Sequence, residues 1–149
     1  MKRVLFSLIA ICAFAFTTSV TAQAPLLAAG EIGPDTLNNA ETIYHYFGGT
    51  SFATARRLKD LGSLEAVGRL DSLTGATNAT ATLQYAYDLA GTIWYDAAST
   101  SLNAGSNTLG RFARTEDTEL TATWARMKYE STGTQTSKVQ TVWAFKKRL

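Results

Sequence analysis

The chain has 149 residues, 46% of them hydrophobic and 17% charged, and this length is sufficient for one domain with a sizeable core. Two of its 14 basic residues, Lys2 and Arg3, precede an N-terminal apolar run, and without them the basic and acidic residues are equal in number. Such a balance lacks the strong basic excess typical of nucleic-acid-binding proteins, so we do not expect a nucleic-acid partner.

Cysteine and histidine usage limits the chemistry that the chain can perform. Cys12 is the only cysteine and lies in the N-terminal apolar run, and His45 is the only histidine. This composition argues against a transition-metal site. The sequence also lacks a G-x-S-x-G motif and a glycine-rich phosphate loop. We therefore predict a protein that is not an enzyme and that uses no metal or other cofactor.

The N-terminal 22 residues have the three-part layout of a secretory signal peptide. A short basic start is followed by the apolar residues 4–16 and then by small residues ending at Ala22. The apolar run is shorter than the roughly 20 residues that a membrane-spanning helix needs. We expect residues 1–22 to be removed and the mature chain to have no membrane span. It would then be secreted, periplasmic or displayed on the extracellular surface.

Two segments precede the central part of the chain. Residues 23–40 contain Pro25, Pro34 and many small side chains, and they predict an extended lead-in to a domain at 41–149. Residues 50–60 fit either a short helix or a strand, because their apolar positions match both periods. A short helix near 51–60 therefore stays open.

Residues 42–47, TIYHYF, predict a strand. His45 is flanked there by Tyr44 and Tyr46, so it could belong to a binding surface. A polar residue on an alternating strand is the simpler interpretation, and it is the one we favour.

Residues 79–98 predict a β-hairpin around which the other strands are organised. Residues 81–87 alternate between apolar and polar, and residues 92–97 are rich in β-branched and aromatic side chains. Between them, Asp88 and Gly91 are suited to a turn. A loop of residues 89–91 fixes the pairing, and four large side chains then share one face: Tyr85, Tyr87, Ile93 and Tyr95.

The opposite face of this hairpin is the candidate ligand-binding site. The same register pairs Gln84 with Asp96 and places Trp94 opposite Ala86. Sugar sites in sheets need exposed aromatic rings beside hydrogen-bonding side chains. Trp94, Gln84 and Asp96 are therefore the candidate binding residues if this face is open, whereas alternation favours a buried, structural Trp94. Asp88 and Asp96 are interpreted as turn-forming and solvated groups rather than as a catalytic pair of carboxylates.

The remaining strands follow at intervals of about ten residues. Alternation is clear in residues 64–70, in residues 124–129 and in residues 137–146, and loops rich in Gly, Asn and Ser separate the strands. This spacing predicts an all-β, single-domain, antiparallel β-sandwich or jelly roll.

Basic residues are concentrated between Arg126 and Arg148, where Glu130 is the only acid. They could bind an anionic partner such as nucleic acid or an acidic polysaccharide, or they could form a solvated strand face and a basic tail that discourages edge pairing. We favour the second interpretation.

The run LQYAYD at 83–88 followed by GTIW at 91–94 resembles a pattern of extracellular sandwich modules, in which a strand ends in Ser-x-Asp-Gly and a Trp follows. Discoidin-like carbohydrate- and surface-binding domains carry it, as do bacterial and phage surface or virion proteins. The run WARMKY at 124–129 is similar to the closing strands of such modules, where an Arg lies on the penultimate strand. The resemblance implies an extracellular β-sandwich.

Two functional hypotheses follow. The first is an exported structural or assembly protein of a surface, fibre or virion, with self-assembly as its interaction. The second is a module that binds carbohydrate or another cell-surface ligand, with a cell-surface glycan as its partner. The sequence slightly favours the first, because the chain is one small domain without an attached catalytic partner.

Overall fold

The computed structural model describes residues 27–59, 61–75, 78–103, 108–115, 121–132 and 134–147, so the predicted signal peptide lies outside the described residues. The described residues form eight β-strands and one 3₁₀ turn, with no α-helix among them. The strands are β1 (Leu27–Asn38), β2 (Thr42–Tyr46), β3 (Leu61–Gly75), β4 (Asn78–Ala86), β5 (Trp94–Asn103), β6 (Thr108–Thr115), β7 (Trp124–Ser131) and β8 (Gln135–Lys147). Within these ranges no helix has the length and apolarity needed to cross a membrane.

The strands are arranged in two antiparallel sheets. Sheet A has the order β1-β8-β3-β6, and sheet B has the order β2-β7-β4-β5. Consecutive strands alternate between the sheets except for the β4–β5 hairpin. This connectivity is that of an eight-stranded jelly roll, in which two sheets share one core. The predicted all-β sandwich is confirmed.

Strand alternation places the core between the sheets as the sequence predicted. On β7 the inward side chains are Ala125, Met127 and Tyr129, all buried. On β8 the inward side chains at Val139, Thr141 and Trp143 have no exposed area. β3 and β4 add the remaining central layers of the core: Leu64, Ala66, Leu70, Ala81, Leu83 and Tyr85.

Gly68 on β3 makes room for the largest of these β7 side chains. A Cβ at this position would lie 2.7 Å from the hydroxyl of Tyr129 and 3.3 Å from the terminal methyl of Met127. The absence of a side chain therefore allows Tyr129 to reach across the core to sheet A, where its hydroxyl lies 2.6 Å from Thr141 Oγ1.

The segment preceding the predicted domain belongs to the sandwich. Residues 23–40 were predicted as an extended lead-in, and Leu27–Asn38 is extended, but it is β1 and pairs with β8. Its register shifts between Ile32 and Asp35, the two residues that flank Gly33 and Pro34. A proline cannot donate to a ladder, so it is accommodated at this irregularity on an edge strand.

The helix left open near 51–60 is a single 3₁₀ turn, Phe52–Thr54. Beyond it, the backbone N–H of Arg56 donates to the carbonyl of Phe47, and that of Leu58 donates to the carbonyl of Thr123. These bonds to other segments replace the bonds that would continue a helix, so the helical turn ends at Thr54.

The hairpin register was predicted correctly for three pairs: Ala86 with Trp94, Tyr85 with Tyr95, and Gln84 with Asp96. The same predicted register pairs Leu83 with Ala97, but Leu83 pairs with Ala98, because the register shifts between Leu83 and Gln84. The connection is also longer than predicted, since β4 ends at Ala86 and β5 begins at Trp94. Asp88 accounts for this, because its carboxylate accepts hydrogen bonds from the backbone N–H groups of Thr92 and Ile93.

The face predicted to be apolar is only partly buried. Tyr85 on the central strand β4 is 1% exposed, whereas Tyr95 on the edge strand β5 is 56% exposed. Tyr87 and Ile93 lie in the longer connection and are 46% and 56% exposed. The inward position at the start of β5 is therefore open to solvent, although Leu102 farther along the same strand is fully buried.

Candidate functional site on the outer face of sheet B

The outer face of sheet B carries a row of four polar or aromatic residues, one from each strand. Tyr46 on β2 is the partner of Arg126 on β7, Arg126 is the partner of Gln84 on β4, and Gln84 is the partner of Asp96 on β5. Aromatic side chains surround this row, and together they form the outer cluster: Tyr44, Tyr46, Phe52, Gln84, Trp94, Asp96, Trp124 and Arg126.

Arg126 is the centre of the outer cluster. The central carbon of its guanidinium group lies 4.1 Å from the ring centroid of Tyr44 and 4.0 Å from that of Trp94. Two close cation–π contacts on one guanidinium are stabilising, and they also hold its orientation. Nε donates to the side-chain oxygen of Gln84 at 2.7 Å, and Nη1 lies 3.5 Å from the hydroxyl of Tyr46.

Gln84 links the cation to a carboxylate. Its side-chain oxygen accepts from Arg126, and its side-chain nitrogen donates to Asp96 Oδ1 at 2.6 Å. Because Gln84 is only 6% exposed, both ends of its amide need a partner, and these two bonds supply them. The orientation of the amide is therefore fixed by its neighbours. Asp96 itself is exposed, so its carboxylate faces solvent.

The loops at one end of sheet B complete the outer cluster. The indole N–H of Trp94 donates to the carbonyl of Gly91 at 2.8 Å. The ring of Phe52 packs edge-on against Trp124, with 4.9 Å between the ring centroids. Gly91 has φ +64°, and a Cβ there would lie 2.3 Å from the Phe52 ring. The loop after β4 and the 3₁₀ turn therefore pack directly on each other, and this fixes the aromatic rings relative to the sheet.

Two further cations lie beside the outer cluster. Lys128 Nζ contacts Glu130 Oε2 at 2.8 Å. The hydrogen bond to Glu130 is the largest cause that raises the pKa of Lys128 above its ordinary value, so this lysine is charged at neutral pH. The guanidinium of Arg57 lies 5.4 Å from the ring centroid of Trp124.

The three candidate binding residues predicted from the sequence lie together, as their pairing required. Trp94 is neither buried as favoured nor fully open, because one side of its ring packs on Arg126 while the face as a whole has no second sheet over it. The other two tryptophans differ from it: Trp124 is 9% exposed on the same face, and Trp143 is fully buried in the core.

The sequence did not identify Arg126, Tyr44 and Tyr46 as members of this site. They come from β2 and β7, which are distant in sequence from the hairpin and adjacent to it only in the sheet. A signal was present, because Tyr44 and Tyr46 alternate with His45, and Arg126 alternates with Met127. Which strands are neighbours could not be read from that alternation.

His45 lies on the other face of β2 and does not belong to the outer cluster. It is fully buried; Nε2 lies 3.0 Å from Asp35 Oδ2 and Nδ1 lies 2.9 Å from Thr141 Oγ1. Burial is the main cause that lowers the pKa of His45 below its ordinary value, and the charge of Asp35 opposes this effect. The interpretation of His45 as a residue of an alternating strand is correct, and the surface alternative was wrong.

No metal centre or catalytic carboxylate pair is evident in the described ranges. They contain no group of three or more His, Cys, Asp or Glu side chains that could hold a metal ion. Asp88 caps the loop after β4. Hydrogen bonds to its carboxyl group lower the pKa of that group, and the bond from the backbone N–H of Thr92 is the largest cause. Asp96 is held by Gln84. Both carboxylates therefore have structural partners.

Comparison with known proteins gives distant structural likeness only. No protein-family model matches the chain, and no curated protein matches it. Among solved structures, the chain is similar to the N-terminal CBM22-1–GH10 modules of endo-1,4-beta-D-xylanase 10B from Clostridium thermocellum, complexed with xylohexaose. The identity is 15% and the TM-score 0.44, and the match covers 78% of this chain but 25% of that chain. Of the resemblance to discoidin-like modules, the sandwich architecture is the part that the structure confirms.

Proposed function

We propose that the protein binds carbohydrate through the outer cluster and does so after export. The observation that carries the proposal is the row from Tyr46 to Asp96 with its flanking rings. It places a held guanidinium, an oriented amide and a solvent-facing carboxylate beside the half-buried rings of Tyr44 and Trp94.

These groups match the chemistry of a sugar. The C–H face of a pyranose packs on aromatic rings, while its hydroxyl groups need donors and acceptors at fixed positions. Arg126 supplies N–H donors from its terminal nitrogens, and Asp96 supplies an acceptor. Because cation–π contacts and hydrogen bonds already hold these side chains, binding would cost little additional ordering.

The structural or assembly role stays a prediction. The jelly-roll topology does not decide between the two roles, since one fold supports many functions and the site must be argued separately. The feature that favours binding is specific to the outer cluster. Its charged and polar groups are oriented by neighbours on three other strands, and such preorganisation is what a recognition site needs.

The test is a titration of the exported protein with a panel of neutral and acidic oligosaccharides, followed by two-dimensional 15N–1H NMR. We expect the indole N–H of Trp94 and the Nε–H of Arg126 to shift with a common saturation curve. Trp94→Ala should weaken binding at least about tenfold, as loss of a stacked aromatic anchor does.

Tyr87→Ala is the matched control, because Tyr87 is an aromatic side chain with 46% exposure that lies outside the outer cluster. The affinity of the Tyr87→Ala variant for the oligosaccharide should equal that of the wild type. If signals elsewhere on the protein shift and the outer cluster does not, the site is wrong. If no glycan shifts any signal of the folded protein, carbohydrate binding itself is refuted.

A further inference from the structure

The cation and the carboxylate of the outer cluster are separated by the Gln84 amide and do not form an ion pair. Asp96 directs one carboxylate oxygen to the Gln84 amide, and Lys128 is paired with Glu130. Among the described residues, no carboxylate lies within ion-pair distance of Arg126. Within the described residues, the direct contacts of this half-buried cation are aromatic rings, the Tyr46 hydroxyl and a neutral amide.

The unfilled donors of Arg126 are its terminal nitrogens. Nε is used by Gln84, and the described contact of the terminal nitrogens is the long one to the Tyr46 hydroxyl, at 3.5 Å. The two rings and the Gln84 bond fix the plane of the guanidinium. A guanidinium fixed in this way can donate two parallel N–H···O hydrogen bonds to one carboxylate. A single sugar hydroxyl cannot accept both bonds in this geometry.

We propose that the ligand of the outer cluster is an acidic polysaccharide, in which a uronate carboxylate pairs with Arg126 while its pyranose ring packs against Trp94 or Tyr44. This inference rests on the proposed function and narrows it to one class of sugar. It gives Arg126 the counter-ion that the described part of the protein does not supply.

Asp96 explains why a sugar acid fits better than a nucleic acid. It is exposed, lies one strand beyond Gln84 in the same row, and accepts one bond from that amide. The phosphodiester and deoxyribose of a DNA backbone have no hydrogen-bond donor for this carboxylate, whereas a uronate residue has several hydroxyl groups that can donate to it.

The experiment compares ligands that differ only in the charge of the carboxyl group. The probes are hexasaccharides of galacturonate, mannuronate and guluronate, each beside its methyl ester, with the affinity measured by calorimetry on the exported protein. We expect at least one acid to bind about tenfold or more tightly than its ester, and the difference to shrink as salt is raised.

Protein variants locate the effect. Arg126→Gln should remove the preference for the acid and bring its affinity to that of the ester, and Arg126→Lys should restore only part of it, because a lysine lacks the planar pair of donors. Lys138→Gln removes the same charge from an exposed position on β8 in sheet A and should leave the preference unchanged.

The outcomes separate this inference from the proposed function. Equal binding of acid and ester, with shifts at Trp94, would retain carbohydrate binding and overturn the uronate assignment. Stronger binding of a sulfated, uronate-free galactan, or of single-stranded DNA, would overturn it too. If no saccharide binds to the folded wild type, both the proposed carbohydrate binding and the uronate assignment are refuted. Because the ester comparison uses the wild-type protein, it does not depend on whether an Arg126 variant folds.

Discussion

The two faces of sheet B are built from the same strands and treat their polar groups differently. On the inner face, His45 has partners on both ring nitrogens, from Asp35 and Thr141. On the outer face, Arg126 is held as firmly, yet its terminal nitrogens are almost without partners in the described structure. The closed network stabilises the fold, and the open one is the basis of the proposed ligand binding.

Truncation of one aromatic side chain on each face of sheet B should give the largest difference in stability between the two faces. Tyr85→Ala removes a fully buried ring and should lower the free energy of unfolding by about 3–5 kcal/mol. Trp94→Ala removes a half-buried ring and should cost about half of what full burial contributes, roughly 1–2 kcal/mol. Urea denaturation measures both. Equal losses would show that the outer cluster is a second core.

The second-largest expected effect is a loss of stability at acidic pH, which comes from His45 on the inner face. Because the pKa of His45 in the folded state is lowered from its ordinary value of 6.5, the unfolded chain takes up the proton first. The contribution of His45 to stability is then complete above pH 6.5 and is lost as the pH falls through the folded-state pKa, with a slope of at most about 1.4 kcal/mol per pH unit.

NMR titration of the His45 ring supplies the direct measurement. Its midpoint should lie below 6.5, whereas a midpoint above 6.5 would mean that Asp35 outweighs burial. The neighbouring hydroxyls suit both states, since Thr141 can donate to a neutral Nδ1, or accept from a protonated one and donate to Tyr129. His45→Asn should flatten the dependence of stability on pH in this range.

Removal of the outer cation should have the smallest effect on stability. Arg126→Gln should cost about 1–2 kcal/mol, since each of the two cation–π contacts contributes about 0.5–1 kcal/mol, no described ion pair is lost, and the new amide keeps an N–H donor for Gln84. Thermal denaturation at equal salt would measure it. A loss as large as that of Tyr85→Ala would indicate that Arg126 is chiefly a structural residue.

Alternation was sufficient to predict much of the fold. It divided the residues of β7 and β8 correctly between two faces, because side chains on a strand must point alternately to the core and to solvent. It could not reveal the shift at Ala97, since a bulge leaves the composition of the strand unchanged. Nor could it identify β1 as a strand, because Gly33 and Pro34 interrupt the pattern there.

The site was predicted in part for a related reason. Trp94, Gln84 and Asp96 belong to one hairpin, so local register was enough to bring them together. Arg126 and the tyrosines join them through the order of strands in sheet B, which is set by long-range pairing. The burial favoured for Trp94 also depended on long-range contacts that the sequence does not reveal. Trp94 is covered by the Arg126 guanidinium and the neighbouring rings rather than by another layer of secondary structure.

The closeness of Arg126 to two aromatic rings has a magnetic consequence. Protons held over the face of a ring experience its ring current and resonate upfield of their usual positions, and the guanidinium carbon of Arg126 lies about 4 Å from the centroids of two rings. Its side-chain protons should therefore be dispersed away from those of every exposed arginine before any ligand is added. Any ligand that separates the rings or tilts the guanidinium would return them toward their ordinary frequencies, so this side chain reports on its own surroundings without a label.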